Sequence, residues 1–464
     1  MTRFNECVGS LAQSAGSPVA LQLAARPRGL SGGFSARTQT GQTSFHIHGR
    51  SGAKVGRGLG GVHGGVRHLK SSLSSFMKRP LLGASAALAV AGLALTPMPA
   101  AMQGSACKVA QVYTSPTNDK GWSWSHEQSF LSIKSDMPNV DLSIRKDSVP
   151  DDNKQAVIDL LESMVAQGAR VVYTTSFGFM EPTREVARNH PNVMFFHASG
   201  YPDPSDPPNI GYYFASIEEG RYITGVVAGM VVPAGTNIGY VAAFPIPEVF
   251  RGENAFALGV AKTNPQAKIH NKWTLTWFDP KLEKDAAEAT LSAPINAMLV
   301  TQHQDSTAPQ VAAEAAGRYG VAYHADMNEA APSATLTAAT WNWAVHNKPT
   351  VEAACSGAWV QGGRVVIPDQ WRNWSGSFLD GTVGVAPLNE TALAKHPRAT
   401  EIKAAFDAEV AAFKSGEKNI VTIFTGTIKD NTGKVRIDGA PDIGKLYDDN
   451  GMWFVSNVVG STQP

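Results

Sequence analysis

The sequence predicts an α/β protein of two lobes joined by a hinge, each lobe a parallel sheet covered by helices. Residues 108–464 alternate short runs of apolar and β-branched residues with amphipathic stretches of helical period. Apolar strands separated by helices are typical of parallel sheets that are buried on both faces. The number of such units exceeds what one doubly wound sheet ordinarily holds, so we expect two compact lobes.

The predicted strands are short apolar or alternating runs bounded by polar residues. Along the chain they are Val109–Tyr113, Val140–Ile144, Arg170–Thr174, Val193–His197, Asn237–Ala242, His270–Trp277, Ala297–Thr301 and Gly320–His324.

Helices are predicted between these strands. Asn153 and the aspartates before it can cap a helix. Its predicted apolar face consists of Val157, Leu160, Leu161, Met164 and Val165. Further helices are predicted near Glu181–Asn189, Glu218–Val232, Arg251–Thr263, Pro280–Ala293 and Ser306–Tyr319, with a hairpin at Asp430–Ile437. The predicted division is lobe 1 at about 108–238 plus about 325–350, and lobe 2 at about 239–324 plus about 351–464.

The front of the chain differs from this body. Residues 1–76 are rich in Gly, Ser, Arg and His, and are interpreted as a disordered leader or an over-extended gene start. Residues 77–106 have the layout of a signal peptide, with basic Met77–Arg79, an uncharged apolar Leu81–Leu95 stretch, then prolines and small residues. We therefore expect export to the periplasm, with the mature chain beginning between about Ala101 and Lys108. Lipidation at Cys107 is an alternative, but Gly104 stands where such sites usually have Leu.

Composition excludes several classes of function. Residues 108–464 carry 29 basic and 38 acidic residues, a net charge of −9, which argues against nucleic acid as a partner. Three cysteines are too few for a disulfide-dense scaffold or a thiolate metal cluster, and no cofactor is predicted. We find no G-x-S-x-G elbow, H-E-x-x-H motif or phosphate loop, so a binding protein is favoured over an exported enzyme.

Aromatic and acidic residues follow four of the predicted strands. Ligands of such sheets bind at the carboxyl ends of the strands. Aromatic rings there suit a flat ligand, and carboxylates suit the paired N–H or O–H donors of a nucleobase or a ribose. The candidate ligand-binding residues are Asp119, Trp122, Trp124, Phe177, Trp277 and Asp326.

Structural roles compete with ligand binding at several positions. Asp279 precedes Pro280 and is predicted to cap the following helix. Asp326 could equally cap a helix that begins near Asn328. Four more residues are expected to be structural: His126 in a solvated first turn, Cys355 as a small buried residue, and Trp341 and Trp343 on a packed helix.

From about Lys108 to Trp359 the chain resembles the basic-membrane-protein (BMP) or PnrA-like family of ABC-importer substrate-binding proteins. Five segments carry this resemblance: Asp119–Ser123 (DKGWS), Val171–Phe179 (VVYTTSFGF), Gly220–Gly229 (GRYITGVVAG), Trp277–Lys284 (WFDPKLEK) and Tyr323–Met327 (YHADM). The resemblance implies two Rossmann-like lobes of the periplasmic-binding-protein type I kind, with a purine base or nucleoside bound between them. It also implies an ABC permease and ATPase as partners in the inner membrane, and we expect a monomer.

The resemblance assigns roles to particular residues. Trp277 is similar to the family's base-stacking position, and Asp326 to the carboxylate that contacts the ligand's sugar or ring edge. Nucleoside binders usually have Phe-Asn followed by Asp or Gln in the first loop, where this chain has Trp122-Ser123-Trp124. We therefore predict a bare purine such as adenine between Trp124 and Trp277, with a nucleoside as the alternative. A ligand sensor for a membrane receptor is a further alternative to transport.

Overall fold

The computed structural model describes residues 106–464. Its strands are β1 Cys107–Val112, β2 Val140–Asp141, β3 Arg145–Lys146, β4 Val171–Thr174, β5 Met194–Ala198, β6 Ile210–Ala215, β7 Asn237–Ala242, β8 Lys268–Trp273, β9 Leu299–Gln302, β10 Tyr319–His324, β11 Thr335–Trp341, β12 Val360–Gln361, β13 Arg364–Val365, β14 Asn373–Gly376, β15 Val383–Val385, β16 Ile428–Lys429, β17 Val435–Ile437 and β18 Val458–Val459.

The α-helices cover the sheets and fill the C-terminal region. They are α1 Trp122–Asp136, α2 Lys154–Ala166, α3 Met180–Asn189, α4 Glu218–Val231, α5 Pro247–Thr263, α6 Pro280–Leu291, α7 Ala308–Ala315, α8 Ala344–Ser356, α9 Asp369–Arg372, α10 Glu390–Leu393, α11 Ala399–Lys414, α12 Ile420–Ile423 and α13 Ile443–Tyr447. Short 3₁₀ helices cover Phe177–Phe179 and Asp449–Gly451.

Two seven-stranded sheets define two lobes. The lobe 1 sheet has the order β14-β6-β5-β4-β1-β2, with β3 also on β1, and its pairings are parallel. The lobe 2 sheet has the order β15-β11-β10-β9-β7-β8-β18, in which only the edge strand β15 is antiparallel to its neighbour. The predicted α/β fold of two parallel-sheet lobes is thus confirmed.

Most predicted elements exist with shifted ends. The Val140–Ile144 strand is two short strands, β2 and β3, and the hairpin at Asp430–Ile437 is confirmed by the antiparallel β16 and β17. The placement of Trp341 and Trp343 on a helix is wrong. Trp341 ends β11, whose alternating threonines pair with β10, and Trp343 lies just before α8.

Sheet membership divides the chain differently from the predicted lobe boundaries. The chain crosses between lobes three times, at 216–217, 342–343 and 377–382. Helix α4 therefore packs on lobe 2, whereas α8 packs against α1 and β14 joins the lobe 1 sheet. The crossings lie side by side, since Ser216 N donates to Gly376 O at 3.0 Å. The C-terminal region returns to lobe 2, where β18 completes the sheet.

Helices α4 and α5 form the closest helix pair of lobe 2. A Cβ atom on Gly225 would lie 2.1 Å from Phe256 O, and one on Gly259 would lie 2.2 Å from Tyr222 O. Glycine is needed at both positions because any side chain would force the two backbones apart. This explains part of the predicted Gly220–Gly229 segment in packing terms.

A disulfide joins Cys107 at the start of β1 to Cys355 near the end of α8, across 248 residues of sequence. The interpretation of Cys355 as a small buried residue is therefore wrong, and a bonded Cys107 has no thiol for a lipid. A disulfide is typical of exported proteins, because cytosolic thiols are kept reduced.

The predicted leader of residues 1–76 and nearly all of the signal peptide at 77–106 lie outside the described residues. Within 106–464, no helix is both long enough and apolar enough to cross a membrane.

Candidate functional site

The loop after β1 carries a buried carboxylate that caps α1. Asp119 Oδ1 accepts the backbone N–H groups of Gly121 at 2.7 Å and Trp124 at 3.0 Å. Its Oδ2 accepts the Ser115 hydroxyl at 2.6 Å and the Ser123 N–H at 3.3 Å. In this structure Asp119 thus satisfies free donors at the start of α1, the role that short acidic side chains play at helix N-termini.

Trp122 belongs to a cluster of rings where the lobes meet, which we call the aromatic floor: Trp122, His126, Phe214, Trp341 and Trp343. The Trp122 ring lies edge-on to His126 at 4.5 Å, to Trp343 at 5.4 Å and to Trp341 of lobe 2 at 5.7 Å. It is tilted against the Phe214 ring at 6.2 Å. Its Nε1–H donates to Thr175 O at 2.5 Å. Trp122 therefore couples the α1 end of lobe 1 to β11 of lobe 2.

His126 is a correction to the sequence analysis, because it is buried rather than solvated. Its ring is 0% exposed and stacks on Trp343 at 4.7 Å. Burial, followed by the charges of His324 and His346, lowers its pKa well below the usual value. The imidazole is consequently neutral and acts as an aromatic component of the floor.

The turn after β9 places His303 and Asp305 at the carboxyl edge of the lobe 2 sheet, beside His324 at the end of β10. Trp341 Nε1 donates to His324 Nδ1 at 3.0 Å, so the ring proton of a neutral His324 lies on Nε2. That atom is 3.1 Å from Asp305 Oδ1 and 3.3 Å from His303 O. Burial, with the charges of His303 and Arg221, lowers the pKa of His324 well below its usual value. The neutral ring therefore donates its Nε2–H to His303 O and lies close to Asp305 without carrying a charge.

A buried guanidinium supports this turn from below. Arg221 Nη1 donates to Gln302 O at 2.7 Å, and its Cζ lies 3.4 Å from the centre of the Tyr323 ring. His303 Nε2 lies 3.1 Å from Glu248 Oε2. Burial alone would raise the pKa of Glu248, but His303 and two arginines outweigh it and lower that pKa to about 2. Glu248 is therefore a fixed negative charge near the turn.

The two lobes touch through the first loop. A Cβ on Gly121 would lie 2.1 Å from Asp305 O, so glycine is required where the loop meets the β9 turn. Ser115 Oγ lies 3.4 Å from Asp305 Oδ2 as well as bonding Asp119, and Lys120 Nζ lies 3.7 Å from Glu329 across the rim. Burial and Asp305 raise the pKa of Asp119 to about 7, and burial above all raises the pKa of Asp305 to about 8.

The remaining predicted residues surround this junction. Trp124 is half-buried in the first turn of α1, with Lys120 Nζ 5.4 Å from its ring centre. Trp277 is half-buried after β8, 4.9 Å from the Phe244 ring and 6.2 Å from the His303 ring.

Phe177 and Asp326 lie at the ends of other strands. The Phe177 ring is 6.4 Å from that of Tyr201, beyond β4. Asp326 is exposed, and its Oδ1 accepts the Asn328 N–H at 2.8 Å, so it closes a turn and no helix follows it directly. By contrast, the predicted cap at Asp279 is confirmed by bonds from the N–H groups of Lys281 and Leu282.

The structure brings together Asp119 in the loop after β1 and Trp122 and Trp124 in the first turn of α1. It also brings Trp277 near His303, while the ring contacts of the described residues include none between Trp124 and Trp277. A cavity of about 310 Å³ opens beside them, between lobe 1 and helices α6 and α7. Its lining residues are Asn118, Asp119, Phe278, Pro280, Lys284, Ser306, Thr307, Ala308 and Val311.

Sequence reasoning misses the polar residues of the β9 turn. The sequence does contain a feature that could have identified them. The polar run Gln302–Ser306 follows the apolar Leu299–Val300, just as polar residues follow the four strands chosen in the sequence analysis. Arg221 and Glu248 carry no local signal, because they come from α4 and α5 and meet the turn only in the folded lobe. Among residues 106–464, no three His, Cys, Asp or Glu side chains are grouped so that they could hold a metal ion.

Comparison with solved structures shows the fold. A solute-binding protein of an ABC transporter system from Conexibacter woesei superposes with a TM-score of 0.53 at 19% identity, covering 69% of this chain and all of that one. A protein of the same description from Aeropyrum pernix gives a TM-score of 0.54 at 14% identity, covering 73% of this chain and 97% of that one.

Sequence comparison finds two informative relatives. A Brucella abortus protein named as purine-binding is 31% identical over 327 residues, which are 70% of this chain and 85% of that protein. A Haloferax volcanii protein named as an ABC transporter glucose-binding protein is 35% identical over 257 residues. The match covers 55% of this chain and only 63% of that relative's length.

The family match agrees with these relatives and with the motifs noted in the sequence. Residues 106–369 match the family described as ABC transporter substrate-binding protein PnrA-like, a family of binding proteins rather than enzymes. The chain therefore belongs to the PnrA-like family of ABC transporter substrate-binding proteins.

Proposed function

We propose that this protein captures a purine base such as adenine between its two lobes and delivers it to an ABC permease and ATPase for uptake. The observation that carries the proposal is the presence of a half-buried tryptophan on each side of the junction, Trp124 on lobe 1 and Trp277 on lobe 2. An indole ring can stack on the flat face of any nucleobase, whichever substituents the base carries. The proposed ligand-binding residues are Trp124, Trp277, Asp326, Trp122, Phe177 and Asp119.

The surroundings of the two indoles support this proposal. Both follow the ends of strands in facing parallel sheets, where ligands of such folds bind. The cavity of about 310 Å³ includes Phe278, the neighbour of Trp277, and Asp119, whose carboxylate bonds to the Trp124 N–H. Trp124 and Trp277 are not among its lining residues, so this cavity lies beside the proposed stacking position.

A hexose is the second candidate, because one relative is named as a glucose-binding protein. Sugars also stack on tryptophan, but they require several hydrogen-bonding groups around the ring. Here the carboxylates of Asp119 and Asp305 already accept hydrogen bonds from backbone N–H groups and from Ser115, so they leave few acceptor positions for the several hydroxyls of a hexose. Calorimetric titration with adenine, hypoxanthine, adenosine and glucose tests the proposal directly, and tighter binding of adenosine or glucose than of adenine would contradict it.

Trp277→Ala is expected to weaken adenine binding by a factor of about 5–150, because the loss of one aromatic stack is worth about 1–3 kcal/mol. Trp277→Phe keeps a ring in the same place and should lose much less. Isothermal titration calorimetry compares the adenine affinities of the two variants. Because both remove the indole and only Trp277→Phe keeps an aromatic ring, a difference between them reports on stacking rather than on a change in fold. Equal affinities of Trp277→Ala and the wild type would remove Trp277 from the site.

Asp326→Asn tests whether this exposed carboxylate contacts the ligand. An amide keeps one acceptor oxygen for the Asn328 N–H but turns an NH₂ group towards any ring N–H donor. If Asp326 accepts that donor on closure, we expect adenine affinity to fall by about tenfold or more, since an unpaired polar group is worth about 1–3 kcal/mol. Unaltered affinity would leave Asp326 with its observed role in the turn.

The proposed place of action is the periplasm, in agreement with the disulfide between Cys107 and Cys355. Sensing of a ligand for a membrane receptor is an alternative to transport. Deletion of the partner permease distinguishes them, because uptake of labelled adenine should stop only if the protein serves transport. We expect the protein to act as a monomer, which sedimentation of the purified chain checks.

A further inference from the structure

We propose that closure of the two lobes takes up one proton, which is held between the facing carboxylates of Asp119 on lobe 1 and Asp305 on lobe 2. Ligand capture would then be coupled to pH through a carboxylate that bonds to the backbone of the stacking residue Trp124. The inference rests on the proposed function in one respect, namely that a bound ligand drives the lobes together.

The geometry places two acidic groups on the same hydroxyl. Ser115 Oγ lies 2.6 Å from Asp119 Oδ2 and 3.4 Å from Asp305 Oδ2. Ser115 Oγ is also 2.6 Å from Ser123 Oγ, so one hydroxyl proton cannot serve both carboxylates. Asp119 is 7% exposed and Asp305 is 3% exposed. Two carboxylates that share a buried site cannot both ionise without strong repulsion, so the pair retains a proton.

The groups that face the pair do not neutralise it. His324 is neutral, and its Nε2 lies 3.1 Å from Asp305 Oδ1 without bringing a positive charge to it. Glu248 from α5 adds negative charge and raises the pKa of Asp305. Glu283 from α6 is itself buried, and burial above all, with a contribution from Asp305, raises its pKa to about 7.

The nearest lysine in the loop is already paired. Lys120 is half-exposed and pairs with Glu329 at 3.7 Å on the rim, where solvent screens it. The backbone N–H groups of Gly121 and Trp124 stabilise the ionised form of Asp119 but do not outweigh burial and Asp305.

The approach of the lobes brings both carboxylates to the Ser115 hydroxyl. Asp119 and Ser115 follow β1 of lobe 1, and Asp305 follows β9 of lobe 2. With the lobes apart, each carboxylate would meet water and ionise near its usual pKa of about 4. In the closed form burial raises the pKa of Asp305 to about 8, so the first proton is bound there. Burial and the charge of Asp305 raise the pKa of Asp119 to about 7, and this pKa falls again once the proton has neutralised Asp305.

The sign of the coupling follows from this difference. Because the closed form holds the proton more tightly, closure is favoured at low pH. The closing constant should fall by up to tenfold per pH unit as the pH rises from about 4 towards 7–8, and then level off. Adenine is neutral in the upper part of this window, between pH 6 and pH 8, so a change measured there belongs to the protein.

Titration calorimetry with adenine tests this proposal when it is repeated in buffers of different ionisation enthalpy. We expect the wild type to take up close to one proton per adenine bound near pH 6 and almost none at pH 9. Affinity should weaken as the pH rises between these values. Binding of adenine with no proton uptake at pH 6 would overturn the proposal and leave the proposed function intact.

The variants Asp119→Asn, Asp305→Asn and the double variant locate the proton. Asn keeps the acceptor oxygen that caps α1, and its amide can donate to the remaining carboxylate, so each single variant should lower the uptake. The double variant should take up none and bind adenine with a flat pH profile. Asp442→Asn is the matched control, because Asp442 also caps a helix, at Lys445 N. Full uptake in the double variant would contradict the assignment.

If adenine does not bind at any pH, the proposed function is wrong. The coupling between lobe closure and protonation can then be tested on the protein without a ligand. Small-angle scattering of the free protein should then show a smaller radius of gyration at pH 6 than at pH 8. The double variant should show the same radius at both values. A radius that is independent of pH in the wild type would overturn the coupling.

Discussion

Replacing Cys355 with Ala is expected to lower the free energy of unfolding by about 2–5 kcal/mol, because it opens the disulfide to Cys107. The bond closes a loop of 248 residues, and in the chain-entropy account long loops give the larger effects. It ties the end of α8, which has just crossed from lobe 2, to the first strand of the lobe 1 sheet. We therefore expect lobe 1 to be destabilised more than lobe 2.

Urea denaturation of Cys107→Ala, Cys355→Ala and the double variant measures this effect. All three should lose similar stability, because the second substitution removes only a thiol once the bond is open. Reduction of the wild type in urea should reproduce the same loss. The free thiols of the exported protein can be counted after it is unfolded without a reducing agent. If both Cys107 and Cys355 react as free thiols, the disulfide does not form in the cell.

The two-lobed fold could be predicted because its signals are local. Apolar strands such as Asn237–Ala242 alternate along the chain with capped helices such as the one that begins after Asp279. This alternation predicts a parallel sheet, and it can be recognised without knowledge of distant contacts. The three crossings are not local, since β14 joins the lobe 1 sheet 158 residues after β6 ends. This is why α4, which follows β6 directly, belongs to the other lobe.

The site could be predicted only in part, for a similar reason. Trp124, Trp277 and Asp119 could be identified as candidates because each follows shortly after a predicted strand in the sequence. Whether an aromatic ring or a histidine is buried depends on partners from distant segments: Trp122 and His126 are held by Trp341 and Trp343, more than 200 residues away. The disulfide likewise needs the fold to bring two cysteines together.

The buried ion pair of Arg251 and Glu218 should be among the most sensitive points of lobe 2. Arg251 Nε lies 2.7 Å from Glu218 Oε1, with the two side chains 4% and 0% exposed. The guanidinium also covers the Tyr447 ring, with Cζ 3.7 Å from its centre. Glu218 Oε2 is buried without a hydrogen-bond partner among the described residues. The carboxylate thus depends on Arg251 for the compensation of its charge.

Arg251→Met is expected to lower the free energy of unfolding by about 3–5 kcal/mol, because it leaves the Glu218 charge buried and uncompensated. The double variant Arg251→Met/Glu218→Gln should recover much of this loss, since no charge is then buried alone. Arg398→Met is the exposed reference: its pair with Glu401 is open to solvent, with side chains 49% and 65% exposed, and should be worth at most about 1 kcal/mol. Urea denaturation midpoints compare the three variants with the wild type. If Arg251→Met were no more destabilising than Arg398→Met, the ion pair with Glu218 would not stabilise the packing of α4 against α5. The bond from Arg221 to Gln302 O would then be the contact through which α4 supports the β9 turn.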